Sequence, residues 1–185
     1  MKINLFPLGM AALIGLSACA SMSETQRNAG VGALGGYVWS QRMEAQRQAM
    51  SQATSGTGVE VSRTSDDQLK LEIPSDISFD VGRSEIKPDM RPILTRFAQT
   101  LKDNSGATIR IVGHTDSTGE DSVNRPLSLG RATSARDFLV DRGVSAERIR
   151  VAGRAELEPV ASNATEAGRA RNRRIEIFVG EPGGA

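Results

Sequence analysis

Between residues 59 and 180, short runs of alternating apolar residues are interleaved with stretches whose apolar residues recur every three and four positions. Alternation with a period of two indicates half-buried strands, and a spacing of three and four indicates amphipathic helices. Chains in which strands alternate with helices fold with the helices packed on a sheet and with right-handed crossovers. The pattern therefore predicts an α/β (α+β) domain with βαβαβ order.

Turn residues and periodicity set the bounds of these elements. Ser65, Asp66 and Asp67 separate two alternating runs, which predicts a β-hairpin over residues 59–74. After the hairpin, the sequence predicts an extended piece at 77–81, a helix from Pro88 to residues 104–106, a strand at 108–112, a polar loop at 113–124, a helix at 128–142, a strand at 149–151, a short helix at 165–170, a strand at 175–179 and a polar tail at 181–185.

The N-terminus carries an apolar run that ends close to the only cysteine of the chain. A mostly apolar run, Leu5–Leu16, is followed by Ser17, Ala18 and Cys19. The tetrapeptide Leu-Ser-Ala-Cys at residues 16–19 resembles the lipobox of bacterial lipoprotein precursors. The run is too short to span a hydrocarbon core of ~30 Å, which needs ~20 apolar residues. We therefore expect a signal peptide at residues 1–18 and lipidation at Cys19, with an ordinary signal peptide and an incidental cysteine as the alternative. By resemblance to Gram-negative lipoproteins, Ala20 in place of Asp favours the outer membrane.

Residues 19–58 are expected to link the lipid to the domain. Within them, the segment 29–39 is rich in glycine, and Gly32 and Gly36 have the spacing that permits close helix contact in membranes. Two interpretations remain open for this segment: a surface-lying or loosely ordered linker, and a helix-packing segment that self-associates. Residues 41–54 have the composition of a helix but only a thin apolar stripe, which predicts a solvated spacer.

One strand-loop-helix connection carries an acid and a base at its two ends. The polar loop after the strand at 108–112 holds Asp116, and the next helix holds Arg131 in its first turns. A carboxylate and a guanidinium can together hold a ligand that has an ammonium and a carboxylate on one carbon. Spacing alone leaves other interpretations open, because Asp116 can cap a turn and Arg131 can lie on the surface beside Glu120 or Asp121.

Three motifs in this part of the chain resemble one known family. Gly-His-Thr-Asp-x-x-Gly at residues 113–119, Asn-Arg-Arg-Ile-Glu-Ile at 172–177 and Phe-Asp at 79–80 occur in the order found in the OmpA-like peptidoglycan-binding domain. The resemblance covers roughly residues 75–180. It implies an OmpA C-terminal-like sandwich, in which a mixed β-sheet is covered on one face by helices.

The resemblance also implies which residues contact a ligand. Asp116 and Arg131 match the family's pair that holds the meso-diaminopimelate of the peptidoglycan stem peptide, whose distal end is an amino-acid zwitterion. Removing both charges of a zwitterion from water is costly unless each charge finds a partner, and one Asp and one Arg supply these partners. The other residues that match ligand-contacting family positions are Thr115, Asn124, Phe79, Asp80 and Arg173.

Composition disfavours several other functions. A net charge of +1 and an aromatic content of 4% disfavour nucleic-acid binding, which depends on basic clusters and stacking rings. The only histidine, His114, and the only cysteine, Cys19, cannot supply the three or four ligands of a zinc site. Ser117 has no evident general base. We therefore expect no metal, no cofactor and no catalysis.

Taken together, these features predict a lipoprotein of the outer membrane whose domain faces the periplasm. The domain is expected to bind peptidoglycan non-covalently and to tether the membrane to the wall. One alternative is an envelope assembly or scaffold lipoprotein with a protein partner at the glycine-rich segment. The other is the targeting module of a cell-wall enzyme.

Overall fold

The computed structural model describes residues 24–181 and divides the chain into two units, one up to Val38 and one from Trp39. Helix α1 (Glu24–Ala53) has residues in both units. The predicted signal peptide and the predicted lipidation site Cys19 lie outside the described residues. Within residues 24–181, no helix combines the length and the apolar character needed to cross a membrane.

Five strands of the second unit form one mixed sheet, as the sequence predicts. The strands are β1 (Glu60–Arg63), β2 (Leu69–Pro74), β3 (Thr108–His114), β4 (Ile149–Ala155) and β5 (Arg174–Gly180). Their spatial order is β1-β2-β5-β3-β4. The pair β3 and β4 is parallel, and every other pair is antiparallel. The predicted hairpin is thus part of the same sheet as the rest of the domain, because β2 pairs with β5 along its whole length.

Four further helices follow α1 along the chain. They are α2 (Ser75–Ser78), α3 (Arg91–Asp103), α4 (Asp121–Val140) and α5 (Glu166–Asn172), with 3₁₀ turns at Pro88–Met90 and Ala146–Arg148. The prediction of an extended piece at 77–81 is wrong in its first half, since residues 75–78 form α2. The predicted loop at 113–124 is too long, because α4 begins at Asp121 and contains Pro126. Proline is normally excluded from the interior of a helix because it lacks a backbone donor. Pro126 and the polar residues before it therefore have the composition of a loop, which explains the wrong prediction.

The inner face of the sheet packs against helices and forms the core of the unit. Burial of one large aliphatic or aromatic side chain contributes ~1.5–3 kcal/mol to the stability of a folded protein. Core residues that are at most 1% exposed include Leu71, Ile73, Ile111, Ile177 and Val179 from the strands, Leu94, Phe97 and Leu101 from α3, and Ala132, Ala135 and Leu139 from α4. Alternate residues of the strands, such as Lys70, Glu72 and Arg110, lie on the outer face and are less buried.

The C-terminal half of α1 is part of this core. Met43 is 2% exposed, Met50 is fully buried, and Gln46 donates a hydrogen bond of 3.0 Å to the hydroxyl of Thr100 in α3. The prediction of a solvated spacer at 41–54 is therefore wrong. Methionine is flexible enough for two such residues on one face to fill the available space. The glycine-rich segment 29–39 is helical as part of α1, which excludes a loosely ordered linker but leaves open both the surface-lying linker and the helix-packing segment.

Helix α4 crosses β3 and β4 at a pair of glycines. Gly113 and Gly153 are register partners, and a Cβ atom would lie 2.0 Å from the carbonyl oxygen of Ser128 at Gly113 and 2.6 Å from the nitrogen of Leu129 at Gly153. The Ser128 hydroxyl also accepts a hydrogen bond of 3.1 Å from the backbone nitrogen of Ala155. This close contact fixes α4 on the sheet, and Arg131 follows less than one turn later.

Candidate ligand-binding site

A cavity of about 520 Å³ lies where β2 and β3 end and β5 begins. We call it the charged cavity. It receives residues from loops after β2 and β3, from α4 and from the region of α5, so its parts are far apart in the sequence. The residues that line it are Asp76, Phe79, Asp80, Val81, Gly82, Lys87, Thr115, Asp116, Thr118, Asn124, Leu127, Arg131, Glu166, Arg169 and Arg173.

All seven ligand-contacting residues expected from the sequence line this cavity. Eight further residues line it, and among them Asp76, Lys87, Thr118 and Glu166 were not singled out by the sequence. Asp76 lies two residues after the predicted end of the hairpin, a position where a polar residue gives no specific signal. Its partner Arg173 is 97 residues away, and spacing does not reveal such a contact.

Arg173 joins three carboxylates of the charged cavity. Its guanidinium donates to both oxygens of Asp76 at 3.0 and 2.9 Å, to Asp116 at 2.7 Å and to Glu166 at 3.0 Å. The hydrogen bonds that Arg173 donates, chiefly to Asp76 and also to Asp116 and Glu166, raise the pKa of Arg173 above its ordinary value. Arg173 therefore remains charged and orders the acidic side of the cavity.

Asp116 is buried, with 7% of its surface exposed, and remains ionised. One carboxylate oxygen accepts from the backbone nitrogen of Thr118 at 2.8 Å, and the other accepts from Arg173 at 2.7 Å. Burial by itself would raise the pKa of Asp116, but the hydrogen bonds from Arg173 and Thr118 outweigh it and lower the pKa. Since a carboxylate has about four lone-pair sites, Asp116 can still accept from a ligand.

Arg131 is the cation of this cavity that has no carboxylate partner within 4.0 Å among residues 24–181. It is 4% exposed, its Nε donates to the carbonyl of Arg83 at 3.0 Å, and its guanidinium lies 5.3 Å from the centre of the Phe79 ring. Burial lowers the pKa of Arg131, while the charges of Asp76 and Asp116 act in the opposite direction. Neither Glu120 nor Asp121 pairs with it, and Asp121 instead pairs with Arg125.

The other three cations of the cavity are each paired. Lys87 lies 3.5 Å from Asp80, Arg169 lies 2.7 Å from Glu166, and Arg173 holds the three carboxylates described above. A buried charge without a partner carries a desolvation penalty of several kcal/mol, on the order of that measured when one member of a buried pair is removed. The unpaired guanidinium of Arg131 is thus a position where an anionic ligand gains most.

Thr115 and Asn124 contribute neutral polar groups. The hydroxyl oxygen of Thr115 is buried and has no hydrogen-bond partner within residues 24–181, whereas its backbone nitrogen donates to the carbonyl of Ala155 at 2.9 Å. The amide nitrogen of Asn124 donates to the carbonyl of Thr118 and to a carboxylate oxygen of Glu156, both at 3.1 Å. Asn124 therefore fastens the loop that carries Asp116, and Thr115 offers a free hydroxyl.

Phe79 and Asp80 form the wall opposite to α4. Phe79 is 2% exposed and lies beneath the guanidinium of Arg131, so it supports that side chain. Asp80 is exposed and faces Lys87. Next to them Val81 is fully exposed and Gly82 has a φ of +68°, a left-handed conformation that glycine adopts without strain.

The remaining residues of interest lie outside the charged cavity. His114 is fully buried at the end of β3, and its Nε2 lies 3.5 Å from Glu176 on the outer face. Asn172 is buried and binds the loop at 160–163 through both atoms of its amide. Arg174 opens β5 and pairs with Glu176 at 3.0 Å. Residues 24–181 contain no group of three or more side chains suited to hold a metal ion.

Comparison with known proteins identifies the family. Residues 78–173, just over half of the chain, match the model of the OmpA family. The chain belongs to the OmpA family. The match includes all seven expected residues and ends at Arg173.

Two named relatives and one solved structure illustrate what this OmpA family member is similar to. A probable lipoprotein of Escherichia coli, YiaD, is 36% identical in an alignment of 180 positions that covers 92% of this chain and 81% of YiaD. The peptidoglycan-binding protein ArfA of Mycobacterium tuberculosis is 44% identical over 103 residues, which are 56% of this chain but only 32% of ArfA. Among solved structures, the cell wall anchor of the T6SS from Pseudomonas aeruginosa has a TM-score of 0.66 at 29% identity, covering 74% of this chain and 96% of the anchor.

Proposed function

We propose that this protein binds peptidoglycan non-covalently, with the zwitterionic end of a stem-peptide diaminopimelate in the charged cavity. The observation that carries the proposal is the buried guanidinium of Arg131, which has no carboxylate partner within 4.0 Å among residues 24–181 although every other cation of the cavity has one. The carboxylate of the ligand binds the free side of this guanidinium in a fork.

The ammonium of the same ligand carbon faces Asp116. This carboxylate stays ionised at neutral pH, because its pKa lies below its ordinary value once its bonds to Arg173 and Thr118 outweigh its burial. The buried hydroxyl of Thr115, which lacks a partner among residues 24–181, supplies one more hydrogen bond to the ligand. Both charges of the zwitterion therefore leave water for a charged partner, which is the condition for binding them in a buried site.

The cavity as a whole suits a ligand with no net charge at this end. Four carboxylates and four cations line it: Asp76, Asp80, Asp116 and Glu166, against Lys87, Arg131, Arg169 and Arg173. Phe79, Val81 and Leu127 provide apolar surface for the methylene groups of diaminopimelate. A relative that is 44% identical over 103 residues is named a peptidoglycan-binding protein, which supports the same ligand class.

We further propose that the protein tethers the outer membrane to the wall. Lipidation at Cys19 would hold the chain at the bilayer, and the second unit would face the periplasm. Many anchored copies that face a polymer of repeated stem peptides gain from effective concentration even when each contact is weak. The name of YiaD as a probable lipoprotein, over 81% of its length, supports this arrangement.

Two stem peptides that differ in a single carboxylate test the site. The tripeptide L-Ala-D-Glu-meso-diaminopimelate carries the distal ammonium and carboxylate, whereas the tripeptide with L-Lys in third position carries the ammonium alone. We expect the native chain to bind the first at least about 30-fold more tightly by calorimetry, because a lost partner of a buried charge costs ~2–5 kcal/mol. Arg131→Ala should reduce the ratio of the two affinities to near unity, and Asp116→Ala should weaken the binding of both peptides.

Arg125→Ala is the matched control for Arg131→Ala. Arg125 lies on the same helix, is exposed and pairs with Asp121 away from the cavity. We expect this variant to keep both the affinity and the preference, and to remain bound to isolated sacculi in a pull-down. Equal binding of the two peptides by the native chain, or an unchanged preference in Arg131→Ala, would contradict the proposed site. Release of soluble muropeptides from sacculi by the native chain would instead support the alternative of a cell-wall enzyme.

A further inference from the structure

Four side chains form a row across the outer face of the sheet, which we call the outer row. Lys70 in β2 is the register partner of Phe178 in β5, Phe178 is the partner of Arg110 in β3, and Arg110 is the partner of Arg150 in β4. Neighbouring strands lie ~4.8 Å apart, and register partners point to the same face. The outer row therefore places three cations and one aromatic ring side by side.

Two of these cations have no acidic partner. Lys70 pairs with Glu72 at 2.9 Å and with Glu176 at 2.8 Å. Arg110 and Arg150 are exposed, and neither has a carboxylate within the 4.0 Å of an ion pair among residues 24–181. Like charges directly opposite each other in a sheet repel, so an anion bound between the two guanidinium groups would relieve this repulsion.

Arg110 is held in position for such an anion. Its guanidinium lies 3.9 Å from the centre of the Phe178 ring, and the ammonium of Lys70 lies 5.8 Å from the same ring. A cation over an aromatic face is attracted by the ring electrons. A side chain fixed in this way loses less conformational freedom on binding, and its fork of N–H donors matches the oxygens of a phosphate.

A cavity of about 710 Å³ adjoins Arg110, Arg150 and Phe178. Arg148 also lines it, but its donors are used by the carbonyls of Leu101, Asn104 and Ala107. The carboxylates that line this cavity are Asp66, Glu147 and Glu181. Its net charge is therefore small, and the two free guanidinium groups would select the ligand by forming forked hydrogen bonds.

The outer row lies toward the end of the sheet opposite to the charged cavity. The cavity beside it is lined by Thr108 at the start of β3 and Gly180 at the end of β5. The charged cavity is lined by residues near the other ends of these strands. At the same end as Thr108, Arg63 donates to the hydroxyl of Ser40 at 3.2 Å. Ser40 is the second residue of this unit, so the chain enters the unit at this end on its way from Cys19.

We propose that Arg110 and Arg150 bind the phosphate of an anionic phospholipid headgroup at the membrane surface. The occupant follows from the forked donors, which fit a phosphate, and from the connection of this end of the unit to the proposed lipid anchor. The unit then contacts the membrane at one end and the wall at the other. This inference does not depend on which ligand fills the charged cavity.

The full chain with Cys19→Ser, which cannot be acylated, provides the test. Dihexanoylphosphatidylglycerol below its micelle concentration is the headgroup probe, with inorganic phosphate and dihexanoylphosphatidylcholine as comparisons, and backbone NMR shifts are the readout. We expect phosphatidylglycerol to shift the amides of residues 109–111 and 149–151. Arg110→Gln and Arg150→Gln should each weaken the binding of phosphatidylglycerol about tenfold or more, because each removes hydrogen bonds to a charged group.

Arg136→Gln is the matched control, because Arg136 is a partly exposed arginine of α4 that pairs with Asp137. It should bind phosphatidylglycerol as the native chain does, and so should Asp116→Ala, which separates this test from that of the charged cavity. Thermal unfolding of each variant confirms that it is folded. Four results would overturn the proposal: no shift with phosphatidylglycerol, equal binding of phosphatidylcholine, inorganic phosphate bound as tightly as the lipid, or an equal loss of binding in Arg136→Gln.

Discussion

Two arginines of the charged cavity have opposite electrostatic surroundings. Arg173 is bound to three carboxylates, and these hydrogen bonds raise its pKa. Arg131 is more deeply buried, has no carboxylate within 4.0 Å among residues 24–181, and has its pKa lowered by that burial. Arg173 therefore stabilises the arrangement of the site, whereas Arg131 is kept at a cost to stability that the proposed ligand would offset.

Replacement of each arginine by methionine should reveal this difference. In Arg173→Met, the buried Asp116 loses its ion partner, whereas Asp76 and Glu166 are more than half exposed and are screened by solvent. We therefore expect the free energy of unfolding to fall by ~2–4 kcal/mol, somewhat less than for a fully buried ion pair. In Arg131→Met, an unpaired buried charge becomes an apolar chain of similar length, so the free energy of unfolding should stay within ~1 kcal/mol or rise. Urea denaturation at neutral pH measures both. A loss in Arg131→Met as large as that in Arg173→Met would show that Arg131 has a structural role.

Helix α4 links the packing of the core to the geometry of the site. Its buried face carries Ala132, Ala135 and Leu139, and its N-terminal part brings Asn124, Leu127 and Arg131 to the charged cavity. The helix can lie this close to the sheet only because β3 and β4 have glycine at the crossing point. The position of Arg131 therefore depends on residues that do not touch the cavity.

A methyl group at the crossing point should move α4 and disturb the site from a distance. In Gly153→Ala the new Cβ would lie 2.6 Å from the backbone nitrogen of Leu129, so the helix must shift. We expect a loss of ~1–3 kcal/mol of stability, as in other overpacked cores, together with weaker binding of the diaminopimelate tripeptide. Gly180→Ala is the control, because its Cβ would meet no atom closer than 3.5 Å. Normal affinity in a destabilised Gly153→Ala would argue that the site tolerates movement of α4.

At the scale of the whole molecule, the sequence predicts the parts of the fold that depend on local periodicity. The strands around Ile111 and Ile177 and the helix around Phe97 are each revealed by their spacing of apolar residues. The start of α4 at Asp121 is not revealed by such spacing, because Pro126 and the polar residues around it have the composition of a loop. Packing of a long helix on the sheet overrides this local preference.

Contacts between distant segments are the part that spacing does not reveal. The family motifs bring Asp116, Arg131 and Phe79 together, but the pairing of Arg173 with Asp76 emerges only when α2 and β5 meet. The burial of Met43 and Met50 is also not revealed by spacing, because the thin apolar stripe of residues 41–54 gives no indication of the surface that it covers. Because α1 is packed from Trp39 onward, only about 20 residues separate Cys19 from the second unit, a reach of at most ~70 Å.

The tether and the scaffold interpretations predict different effects of the glycine-rich segment. Replacement of residues 29–38 by ten Gly and Ser residues keeps the contour length of the chain but removes any specific contact. A tether needs length alone, so we expect unchanged thermal unfolding, unchanged oligomeric state by light scattering and unchanged co-fractionation with sacculi from cells. The same replacement at residues 41–50 removes the buried side chains of Met43 and Met50 and should destabilise the unit by ~2–5 kcal/mol for each. Loss of oligomers or of envelope localisation after replacement of residues 29–38 would instead favour a scaffold lipoprotein whose partner binds this segment.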